Sequence, residues 1–127
     1  MELIAVVIII GILAAIAIPR YTTSKERAIG KEAIANLKLI AVAEKIYRME
    51  TNGANYYPDS GAETNIANIN SNLKLSLTET NWDYSITGGA STFTAYADRQ
   101  GSGGYLNCQY SINQSQEEPV VASGTCP

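Results

Sequence analysis

The stretch from Met1 to Pro19 constrains this chain more than any other. Its only charged side chain is Glu2, and between Glu2 and Pro19 every residue is Ile, Leu, Val, Ala or a single Gly. At a helical rise of about 1.5 Å per residue, Met1 to Ile18 reaches roughly 27 Å, close to the hydrocarbon thickness of a bilayer. A chain of 127 residues has no ordinary core that needs so apolar a helix. Such a stem seeks lipid, or a core built from other copies of itself. Residues 20–127 are far more polar and read as one small domain with a thin core, mounted on the stem.

Two bland readings compete for the stem. A secretory signal peptide has a basic start, a short apolar run and a small-residue cleavage site. Here the start is acidic and the run flows into a long helical pattern, so the segment is expected to stay on the protein. A plain membrane anchor is the second reading, and Glu2 counts against it. A carboxylate deep in lipid costs about 3 kcal/mol, less where it snorkels near a helix end. A stem packed beside copies of itself can instead pair Glu2 with a neighbour's cation. Gly11 and Pro19 bracket the second half of the stem. Gly weakens a helix by about 1 kcal/mol relative to Ala, and Pro removes a backbone bond to the preceding turn. The stretch between them is where the helix is expected to kink or stretch.

Arg20 to about Thr51 continues as helix. Thr22, Thr23 and Ser24, with Lys25 and Glu26, read as a polar collar at the membrane surface. At about 100° per residue, Ile29, Ala33, Leu37, Ile40 and Tyr47 share one side. Ala35, Leu39, Val42, Ile46 and Met49 form a second stripe roughly 140° away. One stripe covers the helix's own sheet. The second is expected against neighbouring stems, or else under a head that wraps the helix more fully. Lys38, Glu44, Lys45 and Arg48 are placed between the stripes and expected to stay wet. Asn52-Gly53 stops the helix, which divides the chain into a helical arm, 1–52, and a head, 53–127.

In the head, Ser60 with Glu63 reads as a capping box for a short helix that turns Ile66, Ile69 and Leu73 inward. Tyr56, Tyr57 and Asp59 form either a recognition surface or the packing of a loop. Trp82, Tyr84 and Ile86 alternate, as do Phe93, Ala95 and Ala97, and again Leu106, Cys108, Tyr110 and Ile112. Gly88-Gly89 and Gly101 to Gly104 supply the turns. The fold class is therefore α+β, a long helix on an antiparallel sheet of three to four strands. From Asn113 on, the tail shows no regular pattern. Cys108 and Cys126 are expected to pair in an oxidising compartment, closing a loop worth roughly 3 kcal/mol. Two free thiols or a metal pair are the alternatives. Asn113-Gln114-Ser115 is a single glycosylation-type sequon.

The chain has no His, which removes imidazole acid–base chemistry and His-ligated metals. It shows no nucleophile–base pair, phosphate loop or metal-spaced cluster. No catalytic residue, metal or cofactor is assigned. Nine dispersed Lys and Arg at a net charge of -3 argue against nucleic acid as the main partner.

The run from Glu2 to Tyr21 resembles the N-terminal signature of type IV pilins and pseudopilins. The match is dense there; beyond it the likeness is architectural. The resemblance implies a homopolymeric helical filament, with the chain in a bacterial inner membrane before assembly machinery extrudes it as an extracellular pilus. It implies that Glu2 neutralises the amino terminus of a neighbouring subunit, that Gly11 to Pro19 loses helicity in the filament, and that Asn113 to Thr125 faces outward. In that family a short Phe-Thr-Leu-type segment, and before it a basic leader cut by the prepilin peptidase, precede the position of Met1. Such residues are expected ahead of Met1, or else different processing. Some pseudopilins bind calcium through head carboxylates, for which Asp59 and Glu63 are the candidates here. A pseudopilin or minor pilin of a secretion or DNA-uptake machine is the alternative function, and a monomeric membrane-anchored binding domain a third.

Overall fold

The computed structural model describes residues 1–101 and 103–127, with the side chain of Pro19 outside that description. Ser102, within the expected Gly101 to Gly104 turn, lies outside the described residues.

Helix α1 spans Glu2–Glu50 as one element and passes through Gly11 and Pro19 without interruption. Its 49 residues extend about 73 Å at the standard rise. Pro19 forfeits one backbone donor. The adjoining turn gains another, because the Thr22 hydroxyl donates to the Ile18 carbonyl at 3.2 Å. The helix ends where Asn52 and Gly53 take left-handed φ values of 59° and 72°. The Gly53 N–H closes back on the Arg48 carbonyl at 2.7 Å.

The head is α+β. Strand β1 (Gly61–Glu63) precedes helix α2 (Ile66–Leu73), and β2 (Trp82–Gly88), β3 (Phe93–Arg99), β4 (Gln109–Asn113) and β5 (Val120–Ser123) follow. The sheet runs in the order β1-β2-β3-β4-β5, every neighbouring pair antiparallel. The three alternating runs in the sequence are β2, β3 and β4. The two further strands lie at the edges. Gly61–Glu63 pairs with β2, and part of the tail read as irregular pairs with β4. Leu106, assigned by alternation to the third strand, lies in the turn before β4 and is half exposed.

The short helix is capped by Asn65, whose side chain accepts from the Ala67 and Asn68 N–H groups, and Ser60 plays no part. Glu63 does brace the entry, accepting from Asn65 N at 2.8 Å. Ile69 and Leu73 turn inward as expected, with Ile66 partly covered. Asn70 pins the following segment by donating to the Leu77 carbonyl and accepting from Leu77 N, both at 2.8 Å.

The core is one layer of helix on one face of sheet. Ile29, Ala33, Leu37 and Ile40 of α1 meet Trp82, Tyr84, Ile86, Phe93, Ala95, Ala97, Tyr110 and Ile112. Small residues on both sides, Ala33 on the helix and Ala95 and Ala97 on β3, leave room for the larger rings and branched chains of the same core. Polar hooks set the height and rotation of the head on the helix. Trp82 Nε1 donates to the Ile29 carbonyl at 2.8 Å, and Asn36 Nδ2 donates to the Tyr84 hydroxyl at 2.7 Å. Tyr56 and Tyr57 are buried, Tyr56 against Phe93 and Tyr57 against Tyr47. They therefore pack the loop rather than face a partner. Gly88 permits that packing, since a Cβ there would stand 2.4 Å from the Pro58 carbonyl oxygen.

Candidate functional site

The stem is the most unusual surface of the molecule. From Leu3 to Ile18 its large side chains are more than half exposed all round the helix. No part of the apolar window is buried. Soluble monomers rarely expose contiguous apolar patches above a few hundred Å². A helix of this length and composition can anchor in a membrane. Glu2 stands exposed in its first turn, where the helix dipole favours a carboxylate. Gly11 has only open space around the position of an added Cβ, so packing within one chain does not require glycine there. Gly30 contrasts with it, because a Cβ there would press on Pro127 at 3.0 Å.

The two stripes of α1 have different fates. The first is sealed under the sheet, apart from a half-exposed Tyr47. The second is bare: Leu39 is 52%, Val42 56%, Ile46 46% and Met49 70% exposed, and Ala35 is exposed beside them. The head does not wrap the helix, so the wrapped alternative is removed. The exposed apolar surface thus runs beyond the stem along much of the arm.

Two carboxylates expected in water are instead buried. Glu26, assigned to the collar, is paired by Arg99, whose Nη2 lies 3.2 and 3.4 Å from its two oxygens. Glu44, assigned to the wet flank, is fully buried. Its Oε2 accepts from Tyr57 N at 2.8 Å, and its Oε1 has no partner among the described residues. Burial pushes the Glu44 carboxyl up to about 8, with the Tyr57 N–H pulling the other way. The signal was present in the sequence. At about 100° per residue both glutamates fall within the angular range of the first stripe, not between the stripes. Lys45 is exposed as expected. Lys38 and Arg48 are half-buried, Lys38 against Glu118 and Arg48 over the Tyr56 ring.

In the head, Cys108 and Cys126 form a disulfide with Cα atoms 4.9 Å apart, which excludes free thiols and a metal pair. It ties the tail beyond β5 to the start of β4. Gly124, at φ 73°, lies so close to the Asn107 carbonyl that no side chain fits. Asn113 ends β4 half-buried, its Oδ1 accepting from Ser115 N at 2.9 Å. Asp59 and Glu63 are engaged separately. Asp59 accepts from the Tyr47 hydroxyl, and Glu63 from Asn65 N, Asn68 Nδ2 and the Tyr57 hydroxyl. Among the described residues no three potential metal ligands cluster. A cavity of about 440 Å³ opens beside Glu79, Asp83, Asp98 and Arg99. Desolvation, then the adjacent Asp83 carboxyl, pushes Glu79 up to about 7.

No protein-family model matches the chain, and comparison with curated proteins and with solved structures returns no match.

Proposed function

We propose that this chain is a structural subunit that polymerises through α1 into an extracellular filament of the type IV pilus kind. One observation carries the reading: an apolar stem exposed on every side continues into a second bare stripe opposite the head. A lone membrane anchor needs the stem but gains nothing from Leu39, Val42, Ile46 and Met49 in water. Packing against copies of itself would cover both. Gly11, with open space around it, would allow close approach of neighbouring helices or local loss of helix. Before assembly the stem would reside in the inner membrane, and assembly machinery would extract it. The paired cysteines fit a head that ends in an oxidising compartment. No catalytic role is proposed.

Electron microscopy of material sheared from cells producing this chain, with mass identification, tests the proposal. Filaments built from the chain support it. Recovery only from the cell envelope transfers the chain to a pseudopilin-type role.

A further inference from the structure

We propose that Arg20, Thr23, Ser24 and Arg27 form a docking notch for the phosphate of an anionic phospholipid, which holds the inserted subunit at a fixed height in its membrane. The inference rests on the reading that the stem resides in lipid before assembly, and it names the lipid that the collar selects.

Depth places these residues at the headgroup layer. The apolar run ends at Ile18. At the helical rise Arg20 stands about 3 Å beyond it, and Thr23 and Ser24 about 8–9 Å beyond it. The polar zone outside the hydrocarbon is roughly 5–8 Å deep on each side of a bilayer. Side chains on a helix lean toward its N-terminus, so Arg27 reaches back toward that level. All four residues are exposed, and together they border one shallow cavity of about 350 Å³.

The notch keeps its charge within a chain whose net charge is -3. Arg20 and Arg27 are seven residues apart and about 20° out of phase, so they share a face. Among the described residues neither has an ion-pair partner. The two nearest carboxylates of α1, Glu26 and Glu32, lie about 120° from the Arg20 line, on opposite sides. Both are engaged by the head: Arg99 holds Glu26, and Asn81 Nδ2 donates to Glu32 at 3.0 Å. Two guanidiniums therefore converge with no acid between them. Each matches a pair of phosphate oxygens, and the flanking hydroxyls add weaker donors. A zwitterionic headgroup brings an ammonium with its phosphate, and the notch offers that cation no carboxylate. An anionic headgroup brings the phosphate alone. Lys25 lies about 140° from Arg20 and does not border the cavity.

The test reconstitutes the full-length chain in phosphatidylcholine vesicles that carry spin-labelled phosphatidylglycerol or spin-labelled phosphatidylcholine. The readouts are the relative association of the two labelled lipids with the chain, and flotation of the chain with the vesicles. Phosphatidylglycerol is expected to associate at least about fivefold more strongly. Arg20→Gln/Arg27→Gln is expected to bring the two lipids to within about twofold of each other while the chain still floats. Lys25→Gln/Lys31→Gln removes the same charge from outside the notch and is expected to keep most of the preference. Equal losses in the two double variants assign the effect to diffuse surface charge and overturn the notch. Equal association of both lipids with the wild-type chain overturns it too. So does loss of the preference on adding millimolar inorganic phosphate at constant ionic strength, which assigns the notch to a free anion. A wild-type chain that floats with no vesicle removes membrane residence along with the site, whereas insertion without preference removes the site alone. Filament yield in sheared material reads the assembly proposal separately.

Discussion

Arg99, at the end of β3, reaches across to α1 and holds Glu26 with its Nη2 at 3.2 Å, both side chains almost wholly out of water. A second Arg99 nitrogen, Nη1, donates to the Asn81 carbonyl at 3.1 Å, and the guanidinium lies 5.9 Å from the Trp82 ring centre. The pair anchors the stem-proximal edge of the head and sets which face of the helix stays bare. Removing one partner of a buried pair leaves an uncompensated charge, at about 3–5 kcal/mol. Arg99→Met alone is therefore expected to destabilise the head by about that amount. Adding Glu26→Leu is expected to recover much of the loss, since an apolar pair of similar volume carries no desolvation cost. Urea unfolding of the full chain in detergent, followed by Trp82 fluorescence, measures both. Additive losses would contradict a coupled pair.

Glu44 makes stability fall as pH rises. Its carboxyl sits at about 8 in the folded chain against an ordinary value of 4.5, so the fold binds a proton that the unfolded chain releases. The contribution is complete below about pH 4.5, declines between there and about pH 8, and is gone above. Glu44→Gln keeps an acceptor for the Tyr57 N–H and abolishes the titration. The urea midpoint of that variant is expected to vary less with pH across the window than that of the parent. An unchanged slope would place the titrating group elsewhere.

The disulfide secures the tail, not the stem. Cys126→Ser is expected to cost about 2–4 kcal/mol of head stability and to free β5 for hydrogen exchange, while the helix stays membrane-inserted. In the native chain neither cysteine is expected to react with thiol reagents before reduction. Labelling of both in unreduced protein would remove the bridge.

The bare stripe separates stability from assembly. Leu39 and Val42 are more than half exposed and lie outside the core cluster, so Leu39→Asp and Val42→Asp are expected to change head stability by no more than about 0.5 kcal/mol. The same variants are expected to reduce filament yield in sheared fractions. A large loss of head stability with normal filaments would reverse the assignment of that face.

Much of this molecule was legible in periodicity. The helical repeat of Ile29, Ala33, Leu37 and Ile40 found the face under the sheet, and period-two alternation found the three central strands. The edges were not legible. Gly61–Glu63 and Val120–Ser123 are exposed edge strands, so neither shows the buried alternation that marks β2 to β4. Asn65 displaced Ser60 as the cap because the earlier residues were drawn into β1. Glu26 and Glu44 carry the sign of their burial in helical phase, while their charge points the other way. Arg99, distant in sequence, gave no sign that it would meet Glu26. The stem and the cysteine pair were legible from residue type alone. The stem is bare in the single chain, and no pattern within one chain names what would cover it.

The central claim is that the stem leaves lipid for identical stems. Sedimentation of the full-length wild-type chain after complete detergent removal tests it most directly. Assembly through the stem predicts long, fast-sedimenting filaments with the heads outside. A single dispersed species of 13.6 kDa in detergent-free buffer would contradict it.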